Sequence, residues 1–399
     1  QRKAYRYRIR NKPLYRKKRK KPGKWKPTGK YTANDGDVCM EERIMGSAPC
    51  MYHAAPEKGG QAVLRRENAG ESDILYIDVP YEGAYGMGEK YNGLNQKGKT
   101  AVNQVVEKFC RQGENTYLAA PFFVTDTGLG IYVETAEKTE FRFRDTIECE
   151  IPAEAAVHIF AGTIEEIIAA YMKIFGPALL PPKYSFGIWV SANHWNSRKA
   201  VEEQLRELEE YGFPASVMVL EAWSDEATFY IWNGADYEPK PDGGAHTCEE
   251  FDFSKSSYWP DPESMIRKLH EKDIRLVLWQ IPVYKKQGSD ERVCRQLELD
   301  RENAVRKALC VRKEDGSPYR IPEGNWFAGS MIPDFTNPET KEDWFGKRQY
   351  LLDMGVDGFK TDGGEFIYES DLLFSGGMTG AEAKKCFMHR LIQTLIPNS

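Results

Sequence analysis

The densest group of residues able to do chemistry is Gly358-Phe359-Lys360-Thr361-Asp362-Gly363-Gly364-Glu365. It closes an apolar run, Val356–Lys360, that reads as a β-strand, and side chains two apart on a strand leave the same face. Lys360 and Asp362 are therefore expected to project together. An ammonium beside a carboxylate favours the ionised form, which is the form a carboxylate nucleophile must take. The competing reading of these residues is a structural ion pair, with Glu365 capping a loop.

A second group, Glu221-Ala222-Trp223-Ser224-Asp225-Glu226, follows the apolar run Ser216–Leu220 and is bordered by Phe229, Tyr230 and Trp232. Carboxylates accept hydrogen bonds from sugar hydroxyls while aromatic faces cover the C–H-rich sides of the ring, so this pairing points to a carbohydrate pocket. An aromatic loop packed on a domain rim would look the same in sequence. Trp189 and Trp279 stand within strand-like runs, where either core packing or ligand stacking accounts for them. His194, in Ser191-Ala192-Asn193-His194-Trp195, also follows a strand and is expected at the same mouth. No second His or Cys stands at ligand spacing, so neither a metal nor any other cofactor is expected. Gly86-Met87-Gly88-Glu89-Lys90 lacks the G-K-[ST] ending of a phosphate loop.

These residues need a scaffold, and the chain supplies two textures. Residues 30–160 alternate in short stretches broken by Gly, Asn and Asp, such as Ile74–Val79, Tyr117–Val124, Leu129–Val133 and Phe141–Arg144, the pattern of a β-sandwich. At Gly162 the pattern changes. Thr163 precedes Glu165 and Glu166 as an N-cap, and a helix is expected over Ile164–Phe175 before the Pro181-Pro182 break. We divide the chain into an N-terminal β-sandwich over 1–161, of which 1–40 match nothing, a helical linker over 162–183, and a β/α region over 184–399.

Beyond Lys183, strands are expected at Phe186–Val190, Ser216–Leu220, Ile274–Trp279 and Val356–Lys360. They alternate with helices near Arg198–Tyr211, after Asp261-Pro262, after Asn337-Pro338, and over Ala381–Ile396, which is the signature of β/α units on a parallel sheet. A doubly wound sheet would carry a Gly-rich loop after its first strand, and none is present. A closed barrel needs eight units. Four are legible, so a (β/α)8 TIM-type barrel is expected of which only about half is present.

Composition narrows the class further. Hydrophobic residues make up 41% and charged residues 29%, the balance of a globular protein with ample core material. No apolar run approaches the ~20 residues that cross a bilayer, so no membrane association is expected. Residues 1–30 hold 15 of the 55 Lys and Arg and no acid. Tyr5, Tyr7 and Ile9 alternate with Arg6, Arg8 and Arg10 at strand period, however, which favours a solvated sheet face over a nucleic-acid-binding arm. The eight cysteines form no C-x-x-C pair, which fits reduced thiols and a cytoplasmic location; no charged-then-apolar leader is visible. A homo-oligomer is compatible with this composition.

Five stretches together resemble glycoside hydrolase family 31, the α-glucosidase and α-xylosidase group: Tyr85-Gly86-Met87-Gly88-Glu89, Phe186-Gly187-Ile188-Trp189, Trp259-Pro260-Asp261-Pro262, Asp334-Phe335-Thr336-Asn337-Pro338, and Phe359 through Glu365. They run in family order over residues 85–399. The resemblance implies a retaining hydrolase of terminal α-linked xylose, glucose or galactose, with an oligosaccharide or small α-glycoside as substrate and Asp362 as the nucleophile that forms a covalent glycosyl-enzyme. It implies an acid/base carboxyl on a later strand, outside this chain, which would leave the chain inactive alone. It assigns Lys360, Glu221, Trp189 and Trp279 to the innermost sugar pocket, and His194 and Trp223 join them as expected substrate contacts. Two positions depart from the family pattern. Glu221 replaces the usual Asp, and Gly363 replaces a bulky apolar residue, which would leave more room. An α-glucan lyase using the same intermediate, and a non-catalytic carbohydrate-binding protein, are the alternatives.

Overall fold

The computed structural model describes residues 50–53, 62–70, 72–106, 113–116, 118–135, 137–175, 180–288 and 294–383. The basic N-terminal segment and the greater part of the expected helix Ala381–Ile396 lie outside them.

Two five-stranded sheets form the N-terminal part. One has the order β1 (Cys50–His53), β10 (Ala156–Ala161), β7 (Leu129–Glu134), β6 (Ala119–Thr125), β4 (Ala84–Gly88). The other runs β2 (Val63–Asn68), β3 (Ser72–Asp78), β9 (Thr146–Pro152), β8 (Thr139–Phe143), β5 (Thr100–Asn103). Successive strand residues alternate faces, and in β3 every second residue is buried. Leu75, Ile77, Phe123, Ile131, Val133, Phe141, Phe143 and Ile147 thereby meet in one core. Pairing is antiparallel except where β1 runs parallel to β10.

Helix α1 (Ile164–Phe175) opens with a reciprocal cap, Thr163 N–H donating to Glu166 Oε2 and Glu166 N–H to Thr163 Oγ1. Its Ile164, Ile167, Ala170, Tyr171 and Ile174 recur at helical spacing. They pack against Phe122, Val124, Tyr132 and Phe160, so the helix lies on the sandwich itself.

The C-terminal part is a four-stranded parallel sheet in sequence order, β11 (Ile188–Ala192), β12 (Ala215–Leu220), β13 (Arg275–Gln280), β14 (Gly358–Thr361). Among the described residues it does not close into a barrel; β11 and β14 each have one neighbour. Each strand lies within two residues of its sequence expectation. The stretch expected to begin with Phe186 instead starts as a 3-10 turn over Lys183–Phe186, and pairing begins at Ile188.

Helices α2 (Arg198–Glu210), α3 (Pro262–His270) and α5 (Pro338–Asp353) start where Ser197, Asp261 and Asn337 accept backbone N–H groups, the latter two followed by proline. Val201, Leu208, Met265, Leu269, Tyr350 and Leu351 cover one sheet face through Met218, Leu220, Leu276 and Leu278. Among the described residues, the opposite face carries Val217, Val219 and Val277 as its buried cluster, with Tyr184 against it. That thinly covered face carries the polar strand ends.

A fourth helix in this part, α4 (Arg295–Arg306), lies in the connection between β13 and α5. Its buried side mixes Leu297, Leu299 and Ala304 with Gln296, Asp300 and Asn303, so half of its inward stripe is polar and its hydrophobic period is weak.

Candidate active site

Asp362 follows β14 directly, and its backbone N–H donates to the Gln280 carbonyl at the end of β13. Both carboxylate oxygens are engaged. Trp279 Nε1 donates to Oδ2 at 3.0 Å, and the Gly363 N–H donates to Oδ1 at 2.9 Å. Two donors on a partly exposed carboxylate fix its plane while leaving lone pairs toward the open sheet face, the arrangement an oriented oxygen nucleophile needs.

Lys360 and Asp362 do share a face, as strand alternation requires, but the expected ion pair goes elsewhere. Lys360 Nζ donates to Glu221 Oε1 at 2.8 Å, and Ser191 Oγ donates to the same oxygen at 2.6 Å. Glu221 thus gathers the ends of β11, β12 and β14 across the sheet. Its side chain is mostly covered, whereas that of Lys360 is 44% exposed. Among the described residues no group donates to Glu221 Oε2, and Lys360 has hydrogens to spare, so the pair can accept from one sugar hydroxyl and donate to another.

The four remaining expected residues divide sharply. Trp279 is partly exposed beside Asp362. Trp189 is 45% exposed on the same sheet face, its indole N–H donating to the Ser185 carbonyl. Both present ring surface to solvent. His194 is exposed and lies edge-on to Trp195, with no hydrogen bond recorded to Glu221, Lys360 or Asp362. Trp223 is fully buried, packed edge-to-face on Trp232 at 5.0 Å, and its Nε1 donates to the Trp279 carbonyl at 2.7 Å. It supports the strand end that carries Trp279 instead of presenting its ring to the mouth.

The room expected beside Gly363 is also filled. A Cβ there would lie 2.6 Å from the Phe366 ring and 3.4 Å from Ile281, and the residue's φ of +67° lies in the left-handed region that favours glycine. Glycine is required by the turn that aims the Gly363 N–H at Asp362, not by an enlarged pocket.

Asp225, adjacent in sequence to Trp223 and Ser224, closes its own loop. Its carboxylate accepts from the Ala227 and Thr228 N–H groups at 3.1 and 2.9 Å and from Thr228 Oγ1. Burial raises its pKa and those hydrogen bonds oppose the rise.

Sequence reading missed one surface. Trp326 is 46% exposed, 6.4 Å from Trp279 between ring centroids and 5.0 Å from Phe327, in a loop between α4 and α5. Phe327 in turn meets Phe229, which lies against Trp279. Because this wall is assembled from two loops and a strand, no local period signals it.

Among the described residues no three His, Cys, Asp or Glu side chains gather as metal ligands. No helix among them is long and apolar enough to cross a membrane.

Comparison with known proteins places this geometry. Isomaltosyltransferase of Sporosarcina globispora is 34% identical over 321 residues, which are 77% of this chain and 29% of that protein. The 1,3-alpha-isomaltosidase of Kribbella flavida is 34% identical over 314 residues, 76% of this chain and 43% of that one. The chain thus spans less than half the length of either relative. The structure of a cycloalternan-degrading enzyme from Trueperella pyogenes in complex with a covalent intermediate matches with a TM-score of 0.75 at 29% identity, covering 84% of this chain and 51% of that one. The family model for the glycosyl hydrolase 31 N-terminal galactose mutarotase-like domain matches residues 51–141. The model for the glycosyl hydrolases family 31 TIM-barrel domain matches residues 178–386, more than half of the whole, and the chain belongs to glycosyl hydrolase family 31.

Proposed function

We propose that this chain carries the nucleophile half of a retaining α-glycoside-cleaving site, with Asp362 forming a covalent glycosyl-enzyme. The observation that carries the reading is the double hydrogen bond to Asp362, from Trp279 Nε1 and Gly363 N–H, on the same open sheet face as the Glu221–Lys360–Ser191 group. In the first step an Asp362 oxygen attacks the anomeric carbon, the glycosidic C–O bond breaks, and a second carboxyl protonates the leaving oxygen. In the second, that carboxylate takes a proton from the incoming hydroxyl as its oxygen displaces Asp362. The second carboxyl belongs, in this reading, to a strand that continues the four-stranded sheet toward the family's eight-stranded barrel, so residues 1–399 alone turn nothing over.

The sugar unit we infer is glucose-built. Both relatives at 34% identity carry isomaltosyl or isomaltoside names. Glu221 and Lys360 supply one acceptor and one donor for its hydroxyls. Trp279 and the exposed Trp326 supply ring faces on which a sugar can lie, and an apolar platform for a second sugar favours transfer to a sugar acceptor alongside hydrolysis.

The test uses the full-length protein that contains this chain, assayed on aryl α-glucosides and α-linked glucose oligosaccharides. Asp362→Asn keeps shape and loses the anionic nucleophile, so turnover falls by about 10³-fold or more, with the melting temperature unchanged. Retention of more than a few per cent of activity contradicts the assignment of Asp362 as nucleophile, and absence of turnover in the wild type would favour a binding role instead. The first-formed product keeps the α configuration; a β product, or an unsaturated sugar, contradicts the retaining hydrolase.

A further inference from the structure

Behind the site, on the helix-covered side of the sheet, lies a hydrogen-bonded chain that begins in α5. Arg348 is 2% exposed and Gln280 0% exposed. Arg348 Nε donates to Gln280 Oε1, and Gln280 Nε2 donates to Thr361 Oγ1 at 2.8 Å. Gln280 and Thr361 are register partners at the ends of β13 and β14. Each is followed or preceded at once by a site residue. Trp279 precedes Gln280, Asp362 follows Thr361, and the Asp362 N–H donates to the Gln280 carbonyl at 2.9 Å.

The guanidinium makes few alternative bonds. Nη1 donates to the Trp344 carbonyl, the group lies 3.6 Å over the Trp344 ring, and Nη2 is buried with no hydrogen-bond partner among the described residues. Its neighbours Asp300 and Asp343 are already bonded to Lys347 at 3.2 and 2.9 Å. A buried cation short of acceptors holds tightly to those it has. That fixes which way the Gln280 amide points: its oxygen must face Arg348, so its N–H must face Thr361.

The geometry points to Gln280 and Thr361 as positioning residues for the nucleophile, with Arg348 setting the amide's orientation from α5. The side-chain bond ties the last residues of two adjacent strands on the face opposite the substrate. It thereby fixes the spacing between Trp279 and Asp362, whose 3.0 Å hydrogen bond orients the attacking oxygen. Without it the β14 end can shift relative to β13, and a displacement of about 1 Å at a reacting atom costs about 10²-fold in rate.

This rests on Asp362 being the nucleophile, and the experiment separates the two. The full-length protein is treated with a mechanism-based glucose-type cyclitol inactivator, and kinact and KI are measured for wild type, Thr361→Val, Thr361→Ser and Thr361→Ala, each well below its own melting temperature. Thr361→Val removes the hydroxyl and is expected to lower kinact about 10- to 100-fold with KI held within about twofold, while Thr361→Ser retains the hydroxyl and stays near wild type. Thr361→Ala also removes the hydroxyl and adds no branched methyl, so it follows Thr361→Val even where the valine variant folds poorly. An unchanged kinact in both the valine and alanine variants, or a loss shared equally with KI, overturns the positioning role. Labelling of a residue other than Asp362 in the wild type overturns the nucleophile assignment instead.

Discussion

Each oxygen of Asp362 accepts one hydrogen bond from its immediate surroundings, and the two donors are of different kinds: one is a side chain that can be changed, the other a backbone N–H. Trp279→Phe keeps the ring face and deletes the donor, so the turnover number should fall about tenfold or more while substrate binding is less affected. Equal loss in KM would show that Trp279 acts through binding alone. Glu221 is a recognition group in this account. Shortening it to Asp pulls its carboxylate back from Lys360 and Ser191, so the ratio of kcat/KM between substrates epimeric at one hydroxyl should change about tenfold or more, and an unchanged ratio would leave Glu221 with a purely structural part. At this scale much of the site was legible, because strand parity alone puts Lys360 and Asp362 on one face. The partner of Lys360 was not, since Glu221 lies 139 positions away in sequence and only the sheet order brings them together. Trp223 misled for a similar reason: its neighbours in sequence are polar, while its neighbours in space are Trp232 and the Trp279 backbone.

Helix starts follow from local chemistry, and so they were the most readable elements. Thr163, Asp261 and Asn337 each accept N–H groups at the position their residue types indicate. Helix α4 escaped because half of its buried side chains are polar: Gln296 and Asp300 accept from the Lys240 N–H and the Tyr230 hydroxyl outside the helix, and Asn303 accepts from Arg306 within it. The ends of α2 and α3 are joined by Glu202, which accepts from Arg198 within its helix and from Lys268 across at 2.7 Å. Those bonds, the one from Lys268 foremost, depress the Glu202 pKa against a smaller opposing effect of burial. A depressed folded-state pKa gives stability that is present above the unfolded value, near 4.3, and is lost as pH falls through the folded one. Glu202→Gln should therefore be slightly less stable than wild type at pH 7, by no more than about 1 kcal/mol, with the difference shrinking away as the carboxylate is protonated in acid. A difference that grew on acidification would reverse the assigned sign. The Gly363 turn gives a sharper prediction: Gly363→Ala must adopt a positive φ against the Phe366 ring, which should cost about 1–3 kcal/mol in denaturant melts and slow turnover as well. An alanine variant as stable as wild type would show that the turn relaxes freely.

The molecule joins a sandwich with a well-filled interior to a parallel sheet covered densely on one side and thinly on the other. That asymmetry leaves Trp189 and Lys360 exposed on one sheet face. The Tyr85–Glu89 motif belongs to the sandwich for a backbone reason: a Cβ on Gly88 would lie 2.0 Å from the Leu118 carbonyl oxygen, so β4 can approach β6 only with glycine there. Which sugar enters was not legible, because hydroxyl recognition depends on sub-ångström placement of Glu221 and Lys360 by three strands, and nothing in residue spacing encodes it. The central claim is that Asp362 bonds covalently to the sugar, and trapping tests it most directly. The full-length protein is incubated with a slow 5-fluoro-α-glucosyl fluoride, digested, and its peptides are weighed and sequenced by mass spectrometry. The account predicts a single fluoroglucosyl adduct on Asp362, in the peptide containing Phe359-Lys360-Thr361-Asp362, that disappears as activity returns. An adduct on any other carboxylate, or rapid turnover-dependent inhibition with no adduct at all, would contradict it.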